Sequence, residues 1–207
     1  IMVPFLAQIR DETGVTLSDL NLGGGYGVRY TQEDEAIDIP ARLAELAAYL
    51  KEKTERLGLP MPRFLMEPGR SIVADAGMTL YTVGSVKRIP GYKQYAAVDG
   101  GMTDNPRYAL YQSRYTVYHA HKSGSLERFD VVGRCCESGD IIQPGVELPE
   151  DTCRGDILAV CTTGAYNYSM ASNYNRLPRP AVVMLTPDRI YEAVRRETFA
   201  DLTALDL

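Results

Sequence analysis

The sequence has no run of apolar residues that approaches the roughly 18 residues needed to cross a bilayer. Its N-terminus also lacks the charged region and apolar core of a secretory signal peptide. Acidic residues outnumber basic ones, 27 against 22, so the net charge is -5 and no basic stripe is present. These absences argue against a membrane span, a cleaved leader and a nucleic-acid partner.

Residues that could hold a metal ion or form disulfides are also scarce. The four cysteines, none in a Cys-x-x-Cys pair, are Cys135, Cys136, Cys153 and Cys161. This pattern is poor for a disulfide framework or a zinc site and suits a reducing cytoplasm, where we expect the protein to be located. His119 and His121 alternate along one predicted strand, but no third ligand lies near them, so we predict no metal.

The overall composition, 45% hydrophobic and 24% charged over 207 residues, is that of an ordinary globular protein. The length allows one large domain or two small ones. A helical pattern begins at the first residues, without an initiator Met. We therefore expect the chain to be a fragment that begins inside a domain.

The first part of the chain, residues 1–76, alternates between helical and extended patterns. Helices are predicted at 3–13 and 38–57, and strands at 17–22 and 63–66. In the second helix Pro40 suits the first turn and Gly58 the stop. Four leucines at helical spacing should line one face of it: Leu43, Leu46, Leu50 and Leu57. Strand, helix and strand with short links are typical of parallel βα units.

The second part, residues 77–207, is rich in β-branched and aromatic residues. Strands are predicted at 78–89, 92–98, 115–119, 128–132, 157–161 and 181–185. Turns are predicted at 90–91, 123–124 and 144–145, and a short helix at 166–172. This pattern indicates an all-β domain of the sandwich or barrel type.

Residues 64–71 (FLMEPGRS) end an apolar run with a carboxylate, a Pro-Gly turn and an arginine. Glu67 and Arg70 therefore follow a predicted buried strand directly, which is where α/β sheets and barrels carry their chemistry. The alternative is a surface turn with a salt bridge.

Residues 23–27 (GGGYG) follow the first predicted strand. Glycines let backbone N–H groups approach an anion closely, so a phosphate cradle is one interpretation and a tight βα turn is the other. The segment is not a Rossmann fingerprint, because Val28 stands where the third glycine is expected, and no Gly-Lys-Ser/Thr makes it a P-loop.

Three further segments combine reactive or charged groups with strand ends. Residues 99–107 (DGGMTDNPR) end with Arg107, which stands four residues before Tyr111. An Arg and a Tyr at this spacing suit a substrate carboxylate, and the alternative is a charged surface turn. Residues 133–140 (GRCCESGD) place a thiol beside a carboxylate. The thiol could be a proton donor, and the alternative is that both cysteines are buried structural residues. Residues 164–171 (GAYNYSMA) place Tyr166 where it could reach a phosphate, or form an amphipathic helix.

Taken in their order along the chain, the five segments resemble the C-terminal half of the diaminopimelate decarboxylases, which belong to the alanine-racemase-like (fold type III) family of pyridoxal-phosphate enzymes. The resemblance runs from about residue 17 to about residue 180. It implies an α/β part, the last βα units of a TIM-type barrel in residues 1–76, followed by an all-β C-terminal sandwich or barrel domain in residues 77–207. The second domain would also carry substrate-binding and catalytic residues.

The resemblance implies pyridoxal 5′-phosphate as the cofactor. The residues that would contact its phosphate are Gly23, Gly24, Gly25, Gly69 and Arg70. Glu67 would hydrogen-bond the pyridinium nitrogen and keep it protonated, so that the ring accepts the electrons left by CO2. Tyr166 would contact both cofactor and substrate.

The resemblance also implies how an amino-acid substrate is held. Arg70 would reach the substrate, Arg107 and Tyr111 would hold its far end, and Glu137 would bind beside it. Cys136 would be the proton donor, because the family pattern places the thiol immediately before the Glu. In this family the thiol and Glu enter the active site of the partner subunit, so a homodimer is expected.

The implied reaction is decarboxylation of meso-2,6-diaminoheptanedioate to L-lysine, because Arg70 and Arg107 suit a second carboxylate. A related decarboxylase acting on ornithine, arginine or carboxynorspermidine is the nearest alternative, but such relatives tend to carry Asp where Glu137 stands. A non-catalytic homologue that binds a partner protein is the other alternative. It would be expected to lose Cys136 or Glu67, and both are present.

The family also needs a lysine that binds the cofactor and a histidine stacked on its ring, both in the N-terminal half. The lysines of this chain are Lys51, Lys53, Lys87, Lys93 and Lys122. None stands in a matching context, so we expect the 207-residue chain alone not to catalyse decarboxylation.

Overall fold

The computed structural model describes residues 1–207 and divides them into two units. Unit 1 comprises Ile1–Arg29 and Glu33–Val73, and unit 2 comprises Tyr30–Gln32 and Ala74–Leu207. None of the helices combines the length and apolar character that a bilayer-spanning helix requires.

Unit 1 is an α/β arrangement with two parallel strands. Its elements are α1 (Met2–Thr13), β1 (Asp19–Asn21), α2 (Ile39–Arg56), β2 (Arg63–Leu65) and α3 (Arg70–Val73). β1 and β2 pair in parallel, with Leu20 opposite Phe64. The predicted parallel βα unit is therefore confirmed, although both strands are shorter than the sequence pattern suggested.

Helix α2 begins and packs largely as its sequence dictates. Asp38 caps it by accepting a 3.0 Å hydrogen bond from the backbone N–H of Ala41. Leu50 is buried in the core of unit 1, and Leu46 and Leu57 pack against that core. Leu43 is exposed, contrary to the prediction, because the core does not extend to the first turns of α2.

Unit 2 contains the remaining strands and two short helices. Its strands are β3 (Met78–Ile89), β4 (Lys93–Val98), β5 (Val117–His119), β6 (Leu126–Val132), β7 (Ile141–Pro149), β8 (Ile157–Cys161), β9 (Val182–Leu185) and β10 (Ile190–Val194). Its helices are α4 (Arg107–Tyr111) and α5 (Phe199–Thr203), with single 3-10 turns at Tyr168–Met170 and Tyr174–Arg176. β9 and β10 form a separate antiparallel hairpin.

Six strands of unit 2 form one mixed sheet in the order β5-β8-β3-β4-β6-β7. Only β4 and β6 pair in parallel. The outer strands approach each other, since the backbone N–H of Tyr115, just before β5, donates a 2.9 Å hydrogen bond to Oε1 of Gln143 in β7. The sheet is therefore nearly closed, which corresponds to the barrel alternative of the prediction rather than to two stacked sheets.

The interior of this sheet is apolar and fully buried. Its largest buried side chains are Phe129, Ile142, Leu148, Leu158, Val83, Val131 and Val160. In β8 they alternate with half-buried residues, as the period of two in a β-strand requires. In β6 and β7 the alternation is interrupted, because Asp130 and Gln143 are buried next to them. This core gives the loops at the strand ends a rigid support.

One predicted turn is wrong. Pro144 and Gly145 lie inside β7, where the β6–β7 register shifts and Gly145 has a φ of +68°. Pro lacks a backbone N–H and is tolerated at the edge of a sheet, and β7 is the last strand in the order. The N–H of Gly145 instead donates a 2.8 Å hydrogen bond to Oδ1 of Asp130, which keeps the strand continuous.

The predicted helix at 166–172 is reduced to the 3-10 turn Tyr168–Met170. Tyr166 has a φ of +68°, and Ala171 is already extended, so neither end can continue a helix. The sequence pattern also missed β10 and α5, of which α5 is capped by reciprocal hydrogen bonds between Thr198 and Asp201.

Candidate functional site

In unit 1 the loops after β1 and β2 are joined by backbone hydrogen bonds. The N–H of Leu22 donates to the carbonyl of Leu65 at 2.9 Å, and the N–H of Glu67 donates to the carbonyl of Gly23 at 2.7 Å. The two loops follow the carboxyl ends of parallel strands, the position at which α/β folds bind ligands.

The glycine-rich loop admits no other residue at its centre. A Cβ atom on Gly24 would overlap with the carbonyl oxygen of Glu67. Gly23 and Gly25 have φ angles of +70° and +92°, and the space into which their Cβ atoms would project is open. The backbone of this loop therefore stays accessible, as a phosphate cradle needs.

The carboxylate of Glu67 is oriented by Asn21, a residue that sequence reasoning missed. The amide nitrogen Nδ2 of Asn21 donates a 2.6 Å hydrogen bond to Oε1 of Glu67, and Oδ1 accepts one of 2.8 Å from the N–H of Gly23. Asn21 thereby ties the acid to the glycine loop. The available signal in the sequence was its position two residues before the glycines, although the strand was predicted to continue to residue 22.

Gly69 and Arg70 lie at the start of α3, directly after this acid. The carbonyl of Gly69 accepts a 3.0 Å hydrogen bond from Ile72, and Arg70 is the first residue of the helix. All six predicted cofactor residues of unit 1 therefore belong to the two loops that follow β1 and β2.

In unit 2 the structure brings Arg107, Tyr111 and Tyr166 together. The guanidinium carbon of Arg107 lies 5.3 Å from the ring centroid of Tyr111 and 5.6 Å from that of Tyr166. Arg107 is 6% exposed, yet no carboxylate of the chain pairs with it. Its Nη2 is 3.4 Å from Oγ of Ser113, and its Nε has no hydrogen-bond partner. A buried guanidinium without an anion is costly, so this arrangement is suited to an anionic ligand.

Tyr166 has a backbone conformation that bulky residues rarely adopt. Its φ is +68°, in the left-handed region, and such strain is often found at functional sites. The preceding turn is fixed, because the N–H of Gly164 donates to the carbonyl of Ala74 and a Cβ atom on Gly77 would overlap with the backbone of Gly164. The residue as a whole is 42% exposed in this chain.

The loop 133–140 is organised by Asp140, which sequence reasoning included in a motif but not among the site residues. This carboxylate is 4% exposed. Its Oδ1 accepts a 2.6 Å hydrogen bond from the N–H of Met102, and its Oδ2 one of 2.7 Å from the N–H of Cys135. Cβ atoms on Gly101 or Gly133 would overlap with it, so two glycines make room for the carboxylate.

The two vicinal thiols have different surroundings. Burial and the negative charge of Asp140 raise the pKa of Cys135 to about 11, so its thiol stays protonated and unreactive. Cys136 is exposed, and its backbone N–H donates a 2.9 Å hydrogen bond to Oδ1 of Asn175. This contrast favours Cys136 over Cys135 as the reactive thiol.

Glu137 is exposed on the same loop, and its Oε1 accepts a 3.2 Å hydrogen bond from the N–H of Gly139. Neither Cys136 nor Glu137 has a hydrogen bond or an ion pair with Arg107 in this chain. Of the predicted substrate-binding residues of unit 2, Arg107, Tyr111 and Tyr166 are in contact, and Glu137 lies on the loop 133–140.

His119 lies in a local hydrogen-bond network, in which its Nδ1 accepts a 3.2 Å bond from the backbone N–H of His121. The same Nδ1 accepts a 2.9 Å hydrogen bond from the N–H of Lys122, and Nε2 of His119 is 3.1 Å from Oδ2 of Asp156. Although burial opposes ionisation, hydrogen bonds from Lys122 and the backbone of Cys153 lower the pKa of Asp156. No group of three or more potential metal ligands occurs in the structure.

A family model described as the pyridoxal-dependent decarboxylase, C-terminal sheet domain, matches residues 17–164. The diaminopimelate decarboxylase of Bacillus subtilis (strain 168) is 48% identical over 204 residues, which is 98% of this chain and 46% of that protein. The chain therefore spans about half the length of the curated relatives it matches.

Two solved structures extend the comparison. A diaminopimelate decarboxylase from M. jannaschii in complex with L-lysine has a TM-score of 0.87 and 33% identity, covering 99% of this chain and 46% of that one. A lysine/ornithine decarboxylase from Vibrio vulnificus in complex with cadaverine has a TM-score of 0.68 and 28% identity, covering 82% of this chain and 44% of that one. The sheet of unit 2 thus has the fold of the C-terminal domain of these enzymes.

Proposed function

The chain belongs to the pyridoxal-dependent decarboxylases, and on that premise we propose that it is the C-terminal half of a diaminopimelate decarboxylase. The longer protein would convert meso-2,6-diaminoheptanedioate to L-lysine and CO2, the last step of lysine synthesis. The observation that carries this substrate is Arg107, a buried guanidinium without a carboxylate partner. A substrate with a second carboxylate supplies that partner.

We propose that residues 1–76 are the last βα units of an α/β barrel and that residues 77–207 are the sheet domain. The support for the first part is the strand, helix and strand unit of β1, α2 and β2, with its strands in parallel. In barrels of this class the loops after the strands carry the active site, and the proposed cofactor residues lie in those loops.

The residues present in unit 1 fit pyridoxal 5′-phosphate. When bound, this cofactor supplies an electron sink for the electrons that remain on the substrate carbon after CO2 leaves. Gly23, Gly24 and Gly25 would donate backbone hydrogen bonds to its phosphate, together with Gly69 and Arg70. Glu67, held by Asn21, would accept a hydrogen bond from the ring nitrogen and keep that nitrogen protonated.

The substrate would be bound through charge and aromatic contacts. Arg107 and Tyr111 would hold the far end of the substrate, Arg70 would also reach the substrate, and Glu137 would bind it beside Cys136. Tyr166 would contact cofactor and substrate while its ring stays against the guanidinium of Arg107. Because Arg107 is already buried between two rings, substrate binding would not have to order its side chain.

The thiol of Cys136 would donate a proton to the substrate carbon from which CO2 has left. We propose a cytoplasmic homodimer in which Cys136 and Glu137 of one subunit serve the active site of the other. The exposure of both residues in the isolated chain supports this arrangement.

We also propose that the 207-residue chain alone does not decarboxylate its substrate. The lysine that the family uses to bind the cofactor has no counterpart among the lysines of this chain. Lys93 pairs with Asp130 at 2.6 Å and Lys122 with Asp156 at 2.8 Å, both on the sheet domain. Activity would require the N-terminal half.

The alternative within the family is a decarboxylase of basic amino acids such as ornithine. The lysine/ornithine decarboxylase structure described above is less similar to this chain than the M. jannaschii diaminopimelate decarboxylase is, in both identity and TM-score. A substrate without a distal carboxylate would also leave Arg107 buried and unpaired. A non-catalytic homologue is disfavoured by the presence of Cys136 and Glu67.

The test is an assay of CO2 release by the full-length protein with meso-2,6-diaminoheptanedioate, L-lysine and L-ornithine as separate substrates, with lysine release also measured for the first. We expect activity on the first and roughly 100-fold less on the other two. Arg107→Met should raise KM for the first substrate at least about tenfold, whereas the exposed Arg154→Met should not. Equal activity on L-lysine and on meso-2,6-diaminoheptanedioate would contradict the proposal.

A further inference from the structure

The backbone of Cys136 is held by a residue far along the chain. Its N–H donates a 2.9 Å hydrogen bond to Oδ1 of Asn175, which is 39 residues away. The neighbouring N–H, that of Cys135, donates to Asp140 instead. Two consecutive peptide groups of this loop are therefore fixed by two different side chains. Only the bond to Asn175 is made by the residue that carries the exposed thiol.

Asn175 reaches Cys136 from an unusual backbone bend. Asn175 has a φ of 54° and a ψ of 23°, and the next residue, Arg176, has a φ of 56°. Asn tolerates the left-handed region better than most residues, whereas Arg at such an angle costs free energy. Two successive residues in this region persist only where their surroundings hold them.

Residues 197–206, near the C-terminus, stabilise this bend. Nη1 of Arg176 donates a 2.8 Å hydrogen bond to the carbonyl of Leu202, and its Nη2 lies 3.0 Å from Oδ2 of Asp206. On the other side of the bend, Nδ2 of Asn173 donates a 2.6 Å hydrogen bond to Oε2 of Glu197. The bend is therefore anchored at both ends to residues 197–206.

Glu197 also binds Arg179, the residue that follows this bend. Its Oε1 accepts a 2.7 Å hydrogen bond from Nε of Arg179, and its Oε2 accepts one of 2.8 Å from the backbone N–H of the same residue. Glu197 thus connects both sides of the bend that carries Asn175. Residues 197–206 are therefore linked to Cys136 through the hydrogen bonds and ion pairs of the bend at Asn175.

We propose that Asn175 is a positioning residue for the thiol of Cys136, with residues 197–206 as its anchor. The proposal rests on the proposed function in that Cys136 is taken to be the proton donor. Asn175 would act through the backbone of Cys136, without contact to substrate or cofactor. It fixes the loop so that the thiol is presented in one orientation, and the orientation of a proton donor governs the rate of proton transfer.

Two substitutions separate this role from a merely structural one. Asn175→Gly keeps a residue that accepts the left-handed conformation but removes the acceptor oxygen. Asn175→Asp keeps an oxygen that can accept the hydrogen bond from Cys136 and also tolerates the conformation. Asn175→Gly should raise the reactivity of the Cys136 thiol, and Asn175→Asp should not.

The first measurement is the rate of alkylation of each cysteine by iodoacetamide in the full-length protein, free of cofactor and substrate, read by mass spectrometry of peptides. The exposed Cys153 is the internal reference, and Cys135 should react slowly because its pKa is raised to about 11. Asn175→Gly should increase the rate of Cys136 relative to Cys153 by about fivefold, as expected for the loss of one hydrogen bond. Asn175→Asp should not react faster than wild type, because it keeps the acceptor oxygen and its negative charge disfavours a nearby thiolate.

The second measurement is steady-state decarboxylation of meso-2,6-diaminoheptanedioate by the same proteins. Asn175→Gly should lower kcat by about fivefold to tenfold with KM within about twofold, and Asn175→Asp should retain most of kcat. An unchanged alkylation ratio together with an unchanged kcat in Asn175→Gly would overturn the proposal. An equal loss of kcat in Asn175→Gly and Asn175→Asp, together with a lowered unfolding temperature, would also overturn it, because that result shows a general structural role.

Failure of the proposed function is distinguishable from failure of this inference. If the wild-type protein does not decarboxylate the substrate, the proposed function is wrong. The alkylation ratio of Cys136 to Cys153 then decides the positioning role alone: a rise in Asn175→Gly supports it, and no change overturns it.

Discussion

The carbonyl oxygen of Glu67 occupies the space into which a Cβ atom on Gly24 would project. The glycine loop after β1 and the acid after β2 are therefore fitted to each other at the level of the backbone. A side chain at position 24 would separate the two loops, which are otherwise joined by the hydrogen bond from the N–H of Glu67 to Gly23.

Gly24→Ala should therefore weaken cofactor binding by the full-length protein. The added methyl group forces the backbone of Glu67 to move, which we expect to cost about 1–3 kcal/mol and to raise the dissociation constant by about tenfold or more. The measurement is a titration with pyridoxal 5′-phosphate followed by absorbance. Gly27→Ala is the matched control in the same loop, since its Cβ would lie 3.4 Å from the flexible end of Ile37. Equal affinities of the two variants would refute the assignment.

Asp140→Asn should destabilise the sheet domain. The buried carboxylate accepts hydrogen bonds from Met102 and Cys135 with its two oxygens, and an amide can accept only one of them. One buried N–H would then face an NH2 group, a loss of about 1–3 kcal/mol that chemical denaturation can measure. Asp151→Asn is the control, because that carboxylate is exposed and forms only a surface ion pair with Lys122. A free energy of unfolding that is equally unaffected by both changes would contradict this account.

Tyr166→Asn should separate stability from substrate binding. Asn accepts the left-handed conformation that Tyr166 adopts, so the unfolding temperature should remain at or above that of wild type. Loss of the ring from the guanidinium of Arg107 should raise KM for the substrate by about tenfold. Tyr118→Asn, which removes another exposed ring from β5, should leave KM unchanged. An unchanged KM in Tyr166→Asn would show that this ring takes no part in binding.

Sequence patterns predicted β3 and β8 with their observed limits, because both segments are rich in β-branched and other apolar residues. They failed at β7, where Pro144 and Gly145 suggest a turn. There the edge position and the hydrogen bond from Gly145 to Asp130 allow the strand to continue. Local composition could not reveal either circumstance, since both depend on the order of strands in the sheet.

The candidate site, too, could be predicted only in part from the sequence. Its motifs could be found in the sequence because each lies within a few consecutive residues. The hydrogen bonds that orient them, from Asn21 to Glu67 and from Cys136 to Asn175, join residues 46 and 39 positions apart. Only the fold brings those partners together, so sequence reasoning identified the reactive groups but not the residues that hold them.

Acid should loosen the anchor of Asn175 through Glu197. Hydrogen bonds from the side chain and the backbone N–H of Arg179 lower the pKa of Glu197 from 4.5 to about 2. A carboxylate with a lowered folded-state pKa contributes stability above its unfolded pKa, and this contribution is lost as the pH falls from about 4.5 towards 2. Because Arg179 is partly exposed, we expect the contribution to be about 1 kcal/mol at most.

Glu197→Gln should accordingly be less stable than wild type at pH 7, and the difference should shrink as the pH falls from about 5 to 3. Thermal unfolding of both proteins over this range measures it, with Glu147→Gln, an exposed carboxylate on β7, as the control. The alkylation of Cys136 relative to Cys153 at pH 7 should also be faster in Glu197→Gln, because the bend that carries Asn175 loses its anchor. A difference in stability that stays constant from pH 5 to 3 would show that the ionised carboxylate of Glu197 does not stabilise this segment.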